Sequence, residues 1–275
     1  MSRSLSLFFK GERGKKRKWI LIAVVAAVAV LAVVLLLLPD QMLLEMPEIR
    51  RIESAGALIV GVRADAPGFC VDGEGFEAEL AALLAARILP GEDEYARLRL
   101  VEVSAQSAAA KLSDGTVDAV IALMVTGAEA AYSYTQPYYM DDVVVAVAAG
   151  TDVQLADMRV GYIDGSPCYD HVAGISVDAE GNTLMDMRLF ASYPDMLEAL
   201  LRGDIGAAAL SGAYFDKYAE EYSLVEYTRI DDVIGYSIVT NSEAAAVGDI
   251  ANMLIAELAE SGELAEMIAR HGLAR

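Results

Sequence analysis

The sequence predicts an α/β protein of two lobes joined by two crossing strands and preceded by one transmembrane helix. Three observations carry that prediction. Apolar strand-like runs alternate with amphipathic helical runs, and the alternation starts twice along the chain. Two phrases echo each other, "KLSDGTVDAVIAL" at 111–123 and "ALLRGDIGAAAL" at 199–210. Each ends a helix, turns through glycine and enters a strand of small residues, which suggests two similar lobes. Finally, Trp19 to Leu38 is a run of uncharged residues, about 30 Å long as a helix and so able to span a bilayer.

The head, residues 1–18, carries Arg3, Lys10, Arg13, Lys15, Lys16, Arg17 and Lys18 against one acid, Glu12. By the positive-inside rule it stays cytoplasmic, and everything after Leu38 is exported. The rival reading is a cleaved signal peptide, because "AVA" at 27–29 resembles a cleavage site. A cut there would leave "VLAVVLLLL" dangling, and Leu36 and Leu38 suit a later cut poorly. No cysteine lies near the end of the run to take a lipid. The expected organisation is therefore a head at 1–18, an anchor at 19–38 and a tether at 39–55. Lobe 1 then takes 56–143 and 235–275, and lobe 2 takes 144–234.

Along lobe 1, "ALIVGV" (57–62) reads as a buried strand closed by a turn at Pro67 and Gly68. "FEAELAALLAARI" places Phe76, Leu80, Leu83, Leu84 and Ile88 on one helical face. Strands at 97–103 and 117–123 follow, with a short helix around 106–113 between them. This order fits a parallel sheet with right-handed crossovers. In lobe 2, 158–163 is a strand, 193–203 a helix and 204–210 a strand. The runs "DVVVAVAAG" (142–150) and "VIGYSIVT" (233–240) are the expected crossings, and a last helix over 247–272 returns to lobe 1.

The net charge of −20, less the +6 of the head, leaves about −26 on the exported part. That surface repels nucleic acid and anionic lipid headgroups, so neither is expected as a partner. Between Lys111 and Arg159 there is no Lys or Arg but seven acidic residues. Cys70 and Cys168 allow one disulfide in an oxidising exterior. Each follows the first strand of its lobe, and only a closed form would bring their Cα atoms within the necessary ~7 Å. Two unpaired thiols is the favoured reading. The two histidines and two cysteines form no ligand cluster, so no metal is expected, and nothing in the pattern calls for a cofactor.

Five phrases, "GVRADAPGFC…GFEAELAALLA", "DGTVDAVIALM", "TQPYY", "LADMRVGYIDGSP" and "LAESGELAEMIARHG", together resemble the family 3 extracellular solute-binding proteins of amino-acid ABC importers. The opening loop is most similar to the glutamate/aspartate branch. The resemblance covers about residues 53–272. It implies the two-lobed periplasmic-binding-protein-like fold (type II), a small-molecule solute held at the strands' C-terminal edges, and ABC permease subunits as membrane partners.

In that family an Arg after the third strand pairs with the ligand's α-carboxylate. The matching stretch here, "LMVTGAEAAYSYTQPYY", contains none. The family's Asp for the α-ammonium falls on Ser211. Both charged handles of an amino-acid site are therefore missing. Arg63 is the one candidate substitute clamp, its alternatives being solvent exposure or a pair with Asp65. Asp65 and Phe69 occupy the first loop, where family members contact ligand, although Phe69 reads equally as a lobe-core aromatic. Gln106 opens the helix after the second strand and offers a hydrogen bond or a surface amide. Backbone groups at Leu123, Met124 and Val125, with the Thr126 hydroxyl, are contacts that work whatever the side chains. Glu129 would serve a cationic ligand, or is a plain surface acid. Ser166 matches the family's Gly-Thr/Ser turn, whose amides open a helix and can hold an anion. Tyr138 and Tyr139 read as packing beneath the crossing strands.

The leading reading is thus a membrane-anchored extracytoplasmic solute-binding protein whose ligand is not a standard α-amino acid. A ligand-sensing or degenerate accessory module of a signalling system is the second. A dehydratase-like enzyme on the same fold is the third. No nucleophile–base pair, metal cluster or glycine-rich phosphate loop supports an enzyme.

Overall fold

Two five-stranded sheets, each flanked by helices, form the lobes of the computed structural model, which describes residues 43–89, 97–151, 158–163, 166–175, 177 and 184–273. The predicted head and transmembrane run lie outside these residues. Among the described residues no helix is long and apolar enough to cross a membrane.

The segment read as a tether is in part built structure. Helix α1, Pro47–Ala55, starts on a proline that suits the first turn and ends at Gly56, whose φ of 73° supplies a left-handed cap. Ile49 and Ile52 are completely buried. Glu48 Oε1 accepts from Ala246 N at 2.9 Å, where a later helix begins without a side-chain cap of its own. Arg51 pairs with Asp118 at 2.5 Å. The sequence hides this helix because only two apolar residues, three apart, mark its inner face.

In lobe 1, β1 (Leu58–Val62) is followed by a small hairpin, β2 (Asp65–Ala66) and β3 (Cys70–Val71), and by α2 (Phe76–Ile88) at the predicted bounds. β4 (Leu98–Glu102), α3 (Ala105–Ser113) and β5 (Ala119–Val120) complete the crossovers. β1 pairs in parallel with both β4 and β5. The third strand is much shorter than 117–123. At one end Asp118 turns its carboxylate to Arg51 and to Ile59 N; at the other Leu123 turns left-handed, with φ of 54°. β6 (Tyr132–Tyr134) then forms the sheet edge beside a late strand, β12 (Val239–Asn241), giving the order β4-β1-β5-β12-β6.

β7 (Tyr139–Ala148) carries the chain into lobe 2; Val143–Val147 are buried, while Met140 is exposed. There β8 (Arg159–Ile163), α4 (Cys168–Ala173), β9 (Asp186–Phe190), α5 (Tyr193–Arg202), β10 (Ala207–Ser211) and α6 (Gly212–Tyr218) build the second sheet. With β11 (Leu224–Tyr236) at one edge its order is β11-β7-β10-β8-β9, and β8 is parallel to both β9 and β10. The echoed glycines do the same work in both lobes: Gly115 and Gly203 follow α3 and α5 with φ of 74° and 78°.

The return crossing is not the single strand 233–240. β11 (Leu224–Tyr236) pairs along β7, and β12 (Val239–Asn241) belongs to the lobe 1 sheet. Ser237 and Ile238 break the run by bonding Met124 O and Thr135 instead. The expected last helix is also two, α7 (Ala245–Ser261) and α8 (Glu263–Arg270), divided by Gly262 at φ 84°.

Candidate ligand cleft at the lobe junction

The junction is built where β7 and β11 leave lobe 1. Aromatic rings fill its base. Phe69 is 4% exposed and meets Tyr139 edge-on at 5.1 Å and Tyr236 at 6.1 Å, while Tyr139 and Tyr236 stack at 6.4 Å. Such pairs contribute about 1 kcal/mol each beyond their burial. Of the two readings open for Phe69, the structure favours the packing aromatic over an open ligand platform. Tyr138 and Tyr139 pack under the crossings, as expected.

The Leu123–Thr126 backbone does not stand free as strand-end contacts. Residues 123–126 form a strap laid on the return crossing. Leu123 N donates to Glu77 Oε1 at 2.8 Å. Ser237 N donates to Met124 O at 2.8 Å, Thr126 N donates to Gly235 O at 2.9 Å, and Val125 bridges Tyr236. The Thr126 hydroxyl lies 3.1 Å from Gly235 O and 2.6 Å from Ser237 Oγ. These groups satisfy one another, although Val125 and Thr126 themselves are exposed.

Glu77, which the sequence pattern did not single out, anchors the strap. It is fully buried on α2 and accepts from the Tyr138 hydroxyl as well as from Leu123 N. Its Oε2 has no hydrogen-bond partner among the described residues. Burial pushes its carboxyl up to about 7, although the bonds from Tyr138 and Leu123 and the charge of Arg63 pull the other way. In the sequence Glu77 looks no different from Glu79, which pairs outward with Arg270 and His271.

Asp141 and Asp142 supply the second missed cluster. Asp141 Oδ1 accepts from Asp142 N at 2.8 Å and from Ala213 N at 3.0 Å, and its Oδ2 lies 3.4 Å from the Tyr236 hydroxyl. Asp142 pairs with Arg229 at 2.8 Å and accepts from Asp232 N. Two of the seven acids in the cation-free stretch are therefore answered from lobe 2, by residues distant in sequence.

The remaining candidates fall as follows. Arg63 is half-buried at the junction, and its charge reaches both Glu77 of lobe 1 and Tyr193 of lobe 2. Asp65 lies in the β2 hairpin and Gln106 in the first turn of α3. Glu129 is exposed and accepts from Tyr134 of its own lobe, which lowers its carboxyl from the ordinary value. Ser166 Oγ accepts from Cys168 N at 3.3 Å, spending one of the amides proposed for an anion. Ser211 is a helix cap, accepting from Tyr214 N at 3.3 Å at the start of α6. A serine three positions before the aromatic pair Tyr214–Phe215 is the sequence signal that could have shown this. Cys70 and Cys168 are free and completely buried. Burial pushes their thiols up to about 11 and about 12, so both are poor nucleophiles.

This architecture has known relatives. The family model described as bacterial extracellular solute-binding proteins, family 3, matches residues 58–274. The chain is similar in fold to a mutant of the arginine-binding protein ArgBP from T. maritima, with 23% identity, 81% of this chain and 97% of that one covered, and a TM-score of 0.63. It is also similar to a cysteine-binding protein from Campylobacter jejuni, with 16% identity, 82% and 93% coverage and a TM-score of 0.67. An amino acid ABC transporter substrate-binding protein from Streptococcus pneumoniae, solved with L-arginine, gives 17% identity, 81% and 96% coverage and a TM-score of 0.65. With the match spanning both lobes and the junction between them, the chain belongs to the bacterial extracellular solute-binding proteins of family 3.

Proposed function

We propose that the protein is a membrane-anchored extracytoplasmic component of an ABC importer that closes its lobes on a small polar solute other than a standard α-amino acid. One observation carries the ligand reading. On the lobe 1 wall, Leu123 N and Thr126 N and Oγ1 are already bonded within the chain, and that wall brings no Lys or Arg from 112–158. An α-carboxylate placed there would lack its charge-assisted partner, and Ser211 offers an α-ammonium no charge. Each missing pair is worth about 1.5–3 kcal/mol, so both together cost about a hundred- to ten-thousand-fold in affinity.

The basic head and the uncharged run of 19–38 support the anchor. Lobe closure would capture the solute through contacts that only the closed form makes on both sides. Two of the similar structures are named for, or hold, arginine. That agrees with a cleft favouring positive charge, though not with the absent carboxylate clamp. Calorimetry of the full chain with glutamate, aspartate and glutamine tests the reading. Binding weaker than millimolar, or none, is expected. Micromolar binding of any of the three would overturn it, and Arg63→Ala would then show whether Arg63 is the substitute clamp.

A further inference from the structure

We propose that Glu77 is a positioning residue for solute capture, whose proton keeps the 123–126 strap docked on the return crossing, so that capture weakens as the pH rises toward neutrality. The proposal rests on the solute-binding reading above only for its functional consequence. The device itself is read from the geometry of α2, the strap and the two crossings.

Glu77 holds both crossings through one oxygen. Its Oε1 takes the hydroxyl of Tyr138, the residue that precedes β7, and the amide of Leu123, which begins the strap. Tyr138 N in turn bonds Tyr236 O at 2.8 Å, and Val125 bridges Tyr236. Leu123 sits at φ 54°, a left-handed conformation that a branched side chain adopts only when its surroundings enforce it. Release of the Glu77 bond removes one such constraint. The strap that it frees is the wall expected to face the solute.

The second oxygen makes the hold sensitive to protonation. Oε2 is buried without a hydrogen-bond partner among the described residues. A charged carboxylate with one dry, unpaired oxygen is costly, and the neutral acid is much less so. The groups that face it are few. Arg63, from the loop after β1, favours the charged form. Tyr138 and Tyr236, from the two crossings, and Cys70, from the first hairpin, are all held neutral by burial. His271 is engaged with Glu79, the other acid of the first α2 turn, and lies beside Phe76.

The sign follows from linkage. The docked strap holds the carboxyl up to about 7, and release of the strap wets it and returns it toward its ordinary 4.5. The docked form therefore binds more protons between those values. Docking is favoured fully below about 4.5, declines by at most ten-fold per pH unit up to about 7, and is level above that.

Amide hydrogen exchange of the full chain, followed over peptides covering 121–128 and 233–238, reads the strap without any solute. A failed ligand screen would thus leave this test intact. After correction for the chemical rate, exchange in both peptides should quicken several-fold from about pH 5 to about pH 7 and then level. Glu77→Gln keeps an acceptor for Leu123 N and Tyr138 and should hold exchange flat at the acid level. Tyr138→Phe deletes a bond that favours the charged form, and should move the step to higher pH. His271→Asn should leave the step where it is. A wild-type profile without the step, or one that Glu77→Gln and Tyr138→Phe both leave unmoved, would overturn the proposal. Should Glu77→Gln fail to fold, the direction of the Tyr138→Phe shift decides alone.

Discussion

Replacing Arg229 by alanine is expected to cost about 3 kcal/mol of stability, most of it in lobe 2. Three carboxylates converge on this guanidinium: Asp142 at 2.8 Å on Nη1, Asp216 at 2.7 Å on Nη2 and Glu226 at 2.8 Å on Nε. The side chain is 19% exposed, while Asp142 is 1% exposed. Burial alone would lower the affinity of the guanidinium for its proton, and the bonds to Asp216, Asp142 and Glu226 more than reverse that. The cost of truncation comes mainly from Asp142, which would be left charged, dry and without its cation. The Glu226 and Asp216 contacts are more exposed and contribute little. Asp142 also receives Asp232 N at the irregularity in β11, so the crossing should loosen with it. For a chain of this length the loss corresponds to a drop in Tm of about 6–12 °C. Arg229→Lys, a point charge that cannot serve three acceptors as a fork does, should recover only part of it. A change within about 2 °C for alanine would show that the cluster is a surface ornament and not a brace.

Gly75→Ala is the second large effect, again about 3 kcal/mol. Gly75 precedes α2 with φ of 133°, a conformation that side chains rarely adopt. A Cβ built there would overlap the carbonyl oxygen of Phe69 and stand 2.8 Å from its carbonyl carbon. Backbone cannot swing aside as the end of a side chain can. The same loop caps the helix, since Phe76 N and Glu77 N donate to Gly68 O and Phe69 O at 3.1 and 2.8 Å. Relieving the overlap therefore strips two amides of their acceptors and shifts Phe69 out of its aromatic cluster. Thermal unfolding should fall by a margin like that of Arg229→Ala. A Tm close to the parent would mean that the loop yields at no cost, and the assignment of Phe69 to the packed base of the junction would fail with it.

These positions show what the sequence could and could not convey. The spacing of Phe76, Leu80, Leu84 and Ile88 gave α2 to the residue, because burial of one helical face leaves a local trace. The paired glycine turns were equally legible, since left-handed backbone selects that residue. Glu77 was not. Its role is set by Tyr138, which lies 61 residues away, and no local pattern separates it from Glu79. The strap was expected as open strand-end amides because its partners, Gly235 and Ser237, come from the far end of the chain. Ser211 was read only as an uncharged stand-in for the family's acidic residue, and its work as a cap is a fact of α6. The stretch without cations has a partial explanation: Asp141 and Asp142 find their partners in Ala213, Arg229 and Asp232 across the second sheet.

The selectivity of the cleft remains the claim on which function turns. Coulomb attraction between exposed charges at 4 Å is only about 1 kcal/mol, and several-fold more in a closed, poorly hydrated cleft. Asp141 lies beside Tyr236 and Tyr193 at the junction, with the charge of Arg63 acting on the same Tyr193. A thermal-shift series on the full chain, using cationic, neutral and anionic metabolites of matched carbon frame, measures the sign directly. Stabilisation by cationic or neutral members, with the anions inert, is the expected result. Stabilisation by the anionic members alone, abolished in Arg63→Ala, would contradict it.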